Sequence, residues 1–258
     1  MNGKSIQLKH TPGLKSISLA ELNGQAELSV DSTRTESAIG LVTSLSNIPD
    51  SASLVIADRD RVLSSIYTTT YGSQLQSTIV CTGCHKPFDI DFELDRLEQH
   101  LWRSVGNSSP EKGAADYSVA DEHGFYHYPG HGRFRLPTGR DELAIADKDP
   151  QQAVTELCHR CIADLQDDQS LQFLQHEMEQ IAPLIDTEME VACPECGQPQ
   201  YLRFDIQSFL LQKILGEKSS LMREIHELAK SYHWTLPQIL DLPRSVRKRL
   251  VTIIENER

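Results

Sequence analysis

The sequence lacks any apolar run near the roughly 20 residues that a membrane-spanning helix requires, so no such span is expected. Its first ten residues, Met1 to His10, carry Lys4 and Lys9 but no apolar stretch of the kind that drives secretion, so a cleaved signal is not expected either. Basic charge is scarce: 25 Lys and Arg stand against 37 Asp and Glu, a net charge of -12. A dedicated nucleic-acid binder needs clustered cations to neutralise phosphates, and only one short basic patch, Arg244 to Arg249, is present. The short motifs of common catalytic sites are missing as well. There is no H-E-x-x-H, no phosphate-binding G-x-x-x-x-G-K-[ST] and no G-x-S-x-G. The zinc-deaminase pattern fails because Pro194 lies inside its cysteine pair and no H-x-E occurs. These absences point away from an enzyme.

What remains is 258 residues with 39% hydrophobic and 24% charged side chains, the composition of a soluble globular protein of one large or two small domains. A cytoplasmic setting with reduced thiols is expected. The charge is uneven. Between Asp141 and Glu190, 13 acids face two bases, Lys148 and Arg160, for a local net charge of -11. Leu221 to Arg258 is mildly basic, with 7 bases against 5 acids.

All six cysteines fall in C-x-x-C pairs: Cys81/Cys84, Cys158/Cys161 and Cys193/Cys196. In a reducing compartment that pattern favours metal over disulfides. A shift of 112 residues lays Cys81, Cys84, Pro87 and Phe92 on Cys193, Cys196, Pro199 and Phe204. Each segment reads as a strand, a tight turn holding two thiols, and a second strand with alternating apolar positions. Two such knuckles supply a closed four-thiolate zinc site, structural because no position stays open for water. Cys81, Cys84, Cys193 and Cys196 are therefore the zinc candidates, with unmetallated core thiols as the bland alternative. His85, beside a knuckle cysteine, is a spare ligand.

The middle pair has no turn-former between its cysteines. Asp149 and Pro150 read as a cap and first residue of a helix to about Leu165, with Val154, Leu157/Cys158, Cys161/Ile162 and Leu165 on one face. Cys158 and Cys161 are then core thiols, with a metal contribution or a redox pair as rivals. His123, His127 and His131 share a four-residue spacing, but Pro129, Gly130 and Gly132 forbid the helix that would align them. They are expected in a solvated loop, with metal binding the lesser reading.

The organisation expected is α+β: two zinc-knuckle β-hairpins joined in a zinc-ribbon-like unit, with a largely helical insertion and a C-terminal helical unit. Residues 1–52 form an arm or strands of uncertain role, residues 53–204 the knuckle core with its acidic helical insertion, and residues 205–258 the helical unit. Asp58 is expected to cap a helix to about Tyr71 with Val62, Leu63, Ile66 and Tyr67 inward, and Asp168 to cap another to about Ile181. A short helix from Asp95 to about Trp102 precedes an expected loop over Ser104–Ala120, and a strand is expected near Arg133–Leu136. Ile206, Leu210, Ile214, Leu221, Ile225, Leu228 and Tyr232 form an amphipathic stripe on one long helix or two broken at Gly216. Thr235 caps a short helix with Pro237 in its first turn, and a last helix follows Pro243. These tail helices read as a small packing unit or a helix-turn-helix.

Several blocks together carry a resemblance. They are Ala57-Asp-Arg-Asp-Arg-Val-Leu, the knuckles Cys81-Thr-Gly-Cys and Cys193-Pro-Glu-Cys-Gly, and Arg135-Leu-Pro-Thr-Gly. The last is the tail Glu224-Ile-His-Glu-Leu-Ala-Lys-Ser-Tyr-His-Trp-Thr-Leu-Pro-Gln-Ile-Leu-Asp-Leu-Pro. In that order, over roughly residues 53–258, they resemble the T-even phage-type baseplate hub assembly chaperones, a family also found with contractile injection systems. The resemblance implies a non-catalytic, zinc-binding accessory protein of a contractile tail. Its partner would be a baseplate hub or spike protein, in the cytoplasm of a producing cell or phage-infected host. The C-terminal apolar stripe is then a natural cover for the partner's surface, and the acidic segment a steering field for a basic one. A zinc-ribbon/helix-turn-helix nucleic-acid protein, using Arg247, Lys248 and Arg249, is the alternative.

Overall fold

The structure is a computed structural model that describes residues 3–106 and 119–257, so residues 107–118 of the loop expected over Ser104–Ala120 lie outside the described residues. Helices alternate with small antiparallel hairpins, an α+β arrangement. The chain opens with the hairpin β1 (Lys4–Gln7) and β2 (Ser16–Leu19), then α1 (Gly24–Ser29) and α2 (Thr35–Leu45). Ile6, Leu8, Ile17 and Leu19 alternate inward with the period of a strand and join Leu41, Val42 and Leu45 of α2. The first 52 residues are thus strands and helices at the centre of the molecule.

In α3 (Ile56–Tyr71), Val62, Leu63, Ile66 and Tyr67 are buried, as their spacing requires. The helix begins earlier than expected, because Asp58 does not cap it: Val55 holds the N-cap position. Asp58 instead turns its buried carboxylate to the N-terminal chain. It accepts from the backbone N–H groups of Lys9, His10 and Thr11 at 2.7–2.9 Å and from the Thr11 hydroxyl at 2.8 Å. An acid near a helix start suits either role, so only the tertiary neighbour decides between them.

The first knuckle hairpin, β3 (Gln74–Val80) and β4 (Pro87–Glu93), leads into α4 (Leu94–Gly106), longer than expected. The insertion follows with β5 (Phe125–Tyr128), β6 (Gly132–Arg135), α5 (Gly139–Ile145), α6 (Pro150–Cys161), β7 (Ile162–Ala163) and α7 (Asp168–Ile181). Its core stacks Phe134 between Tyr126 and Tyr128, at ring-centroid distances of 5.2 and 5.7 Å. Asp149 caps α6 through Gln152 N–H at 3.1 Å, with Pro150 in the first position, and the helix ends at Cys161 rather than Leu165. Asp167, not Asp168, caps α7, accepting from Ser170 N–H at 2.8 Å. Asp141 organises this region: its buried carboxylate accepts from Arg135, Arg160 and Thr138. Burial opposes its charge, but these donors hold it well below the usual carboxylate range.

The second knuckle hairpin is β8 (Asp186–Ala192) and β9 (Pro199–Asp205). Four helices close the chain: α8 (Ile206–Gly216), α9 (Lys218–Tyr232), α10 (Leu236–Leu240) and α11 (Arg244–Asn256). The break after Gly216 and the Thr235 cap fall where the sequence places them, the latter as a capping box with Gln238. Ile206, Leu210 and Ile214 enter the main core, while Leu228 packs with Ile239 and Ile254. Most of the apolar stripe is therefore covered within the fold, with Ile225 and Tyr232 left half-buried. The main core draws side chains from residues 1–52, 53–204 and 205–258 alike.

Candidate metal centre

The two hairpins repeat one another at the level of the backbone. Gln74, Val80, Pro87 and Glu93 bound the first pair of strands, and Asp186, Ala192, Pro199 and Asp205 bound the second, each 112 positions on. The turn bonds repeat too. His85 N–H donates to Cys81 C=O at 3.0 Å and Gly197 N–H to Cys193 C=O at 2.9 Å, while Cys81 and Cys193 N–H donate to Lys86 and Gln198 C=O, both at 3.0 Å. The residue after each second cysteine is left-handed, at φ 58° for His85 and 74° for Gly197. Glycine takes that conformation freely, and histidine holds it only under the constraint of the turn. Beneath the hairpins the equivalent rings Phe92 and Phe204 meet edge to face, with centroids 5.1 Å apart and planes at 87°. An approximate two-fold axis thus runs between the phenylalanines and out through the thiols.

At the other end of that axis the four sulfurs converge. Cys81 Sγ lies 3.6 Å from Cys196 Sγ and Cys84 Sγ lies 3.7 Å from Cys193 Sγ, each contact crossing between hairpins. All four sulfurs lie within 4.8 Å of one another. A tetrahedral ion with bonds of about 2.3 Å separates its sulfurs by about 3.8 Å, close to the two crossed contacts, so the four cysteines could hold a metal ion. The Cys84 and Gly83 N–H groups, directed at Cys81, lower its thiol, while the neighbouring sulfurs push the Cys196 thiol up, so the four groups share their charge.

One residue of this centre went unread in the sequence. Gln200 is buried, and its Oε1 accepts from Thr82 N–H at 2.9 Å and the Thr82 hydroxyl at 3.0 Å, bridging one knuckle to the other. The repeat itself carries the clue, because Gln200 is the counterpart of the apolar Phe88. Lys86 and Glu195 add a surface ion pair across the same junction at 2.7 Å.

The remaining candidates do not join this cluster. His85 is exposed. Cys161 is buried, which pushes its thiol up to about 11, and Cys158 accepts from Gln175 Nε2 at 3.3 Å. The Cys161 thiol has the properties of a packed thiol rather than an activated one. The three histidines are dispersed, and His127 sits on strand β5 rather than in a loop: its Nε2 lies 2.8 Å from Asp121, while His131 stacks on Phe173 at 4.2 Å and meets Ser170. The basic patch is divided. Arg244 pairs with Glu27 and Glu217, and Arg247, 0% exposed, pairs with Glu27 and with Glu224 at 2.7 Å. Two of its four cations are thus committed inside the protein, leaving Lys248 and Arg249 at the surface. Among the described residues no helix is long and apolar enough to cross a membrane. No protein family, curated protein or solved structure matches the chain.

Proposed function

We propose that this chain is a non-enzymatic assembly chaperone or accessory component for the baseplate hub of a contractile tail or contractile injection system, with its knuckle pair locked by a structural zinc ion. The observation that carries the reading is the ordered succession of sequence blocks around the two knuckles. In the fold these blocks sit at junctions. Asp58 anchors the N-terminal chain, Arg135 and Thr138 hold Asp141, and Glu224 receives Arg247. Four thiolates and no other donor favour zinc, and a closed set of four leaves the ion a structural task. Conserving shape is what a protein that presents a surface to a partner needs. The acidic insertion supplies long-range attraction to a basic partner, and the association weakens with salt.

The test is co-purification of the tagged full chain from its native producing cells, with mass spectrometry of the partners and elemental analysis of the eluate. About one zinc per chain together with a hub or spike protein is the expected result. Nucleic acid in place of any tail protein overturns the assembly reading, and a metal-free eluate overturns the zinc site.

A further inference from the structure

With most of the C-terminal stripe buried, an apolar surface that remains open to a partner lies on the acidic insertion. A groove of about 380 Å³ runs between α6 and α7 over the start of α3. Val154, Leu157 and Cys158 from α6, Met178 from α7 and Leu184 beyond it supply apolar walls. Val154 is 54% exposed and Leu184 37%, values that set them apart from the side chains of the adjoining core. Leaving this much apolar side chain in water is unfavourable, and covering it gains on the order of 25 cal/mol per Å².

The surroundings say what kind of cover fits. Glu179 is the one charged residue in the groove's lining. The stretch that builds α5, α6 and α7, Gly139 to Ile181, carries 10 acids against three bases, a net of -7, and one of those bases, Arg160, is already tied to Asp141 at 2.9 Å. An apolar trough between two helices inside a negative field suits an amphipathic segment whose apolar side chains are flanked by cations.

We infer that the groove between α6 and α7 docks a partner segment that buries apolar side chains against Val154, Leu157 and Met178 while its flanking Lys or Arg side chains face Glu179 and the acidic insertion. The inference rests on the assembly reading, since it supplies the site by which the partner is held. It also assigns the insertion a task separate from the metal centre.

Two synthetic helical peptides test it on the zinc-loaded full chain. They share one leucine face and differ only in flanking lysines or flanking glutamates. Binding is read by fluorescence anisotropy and by the rate at which a maleimide labels Cys158, mapped by mass spectrometry. The lysine peptide is expected to bind, to lose affinity with added salt and to slow Cys158 labelling. Val154→Glu, a change at an exposed helical position, and Glu179→Lys are each expected to weaken it about tenfold. Equal binding of both peptides, or Cys158 labelling that neither peptide slows, overturns the inference.

Co-purification of the two variants separates this inference from the reading it rests on. Loss of the tail protein from variants that melt like the parent supports the groove. Retention at the parent level overturns the groove and leaves the assembly reading standing. A parent chain that retains no tail protein overturns the assembly reading, and the peptides then judge the groove alone.

Discussion

Removing the zinc proposed for the four-cysteine centre should loosen one end of the molecule and leave the other intact. Cys84 and Cys193 are 109 residues apart in sequence. A cross-link that closes a loop of that length lowers the entropy of the unfolded chain by an amount worth about 5 kcal/mol at 25 °C. Little else holds the knuckles together. Phe88 with Ile79, Ile90 and Val191 is the local apolar contact, and Thr82–Gln200 and Lys86–Glu195 are the polar ones. At the far end of the hairpins Phe92 and Phe204 belong with the main core. For a domain of this size, 5 kcal/mol corresponds to a fall in Tm of roughly 10–20 °C. The assay is thermal melting with and without a strong chelator, combined with amide hydrogen exchange. Cys81 and Cys193 N–H, which bond within the knuckle turns, should lose protection. Leu94 and Ile206 N–H, which bond to Ser73 and Ile185 C=O at the helix starts, should keep theirs. Cys84→Ser should reproduce both effects. A chelated chain that melts with the loaded one, or knuckle amides that stay protected, would refute the reasoning.

Further tests address the buried charges. Arg247→Ala leaves Glu224 without its partner and is expected to cost about 3–5 kcal/mol in urea denaturation, whereas Lys248→Ala at the surface should be nearly neutral. Asp58→Ala strands three backbone N–H groups at about 1–3 kcal/mol each, so limited proteolysis should cut earlier around Lys9. Burial pushes Asp60 up to about 7, above its unfolded value of about 4, so the folded chain holds the extra proton between those values and stability falls as pH rises through that window. Asp60→Asn, which still accepts from Ile185 N–H, should flatten that slope, an effect of at most on the order of 4 kcal/mol between pH 4 and 8. Parallel pH profiles for the two proteins would contradict this.

What could be read from the sequence was local. A C-x-x-C with a turn-former between strands fixes its own geometry within a dozen residues, so the knuckles and their pairing were legible, as were Pro150 in the first turn of α6 and the Thr235 cap. Partners were not. The pattern of the C-terminal stripe says that Leu210 and Leu228 must be covered, but not that the rest of this chain covers them. Arg244 and Arg247 look like a surface patch because nothing near them in sequence announces Glu27, more than two hundred residues upstream. In the first 52 residues the many Ser and Thr masked α2, whose Ala38, Leu41, Val42 and Leu45 do follow helical spacing.

The 112-residue offset between the knuckles also sets an order of events during synthesis. At about 5–20 residues per second, the second pair of cysteines follows the first by roughly 6–22 s. Each hairpin closes on itself in microseconds, so Cys81 and Cys84 wait as half a coordination sphere while the whole acidic insertion is made. A metal captured by that half remains exchangeable until Cys193 and Cys196 arrive. Completion of the tetrad therefore marks the moment at which the insertion becomes a closed loop rather than a growing tail, before β9 and α8 are in place.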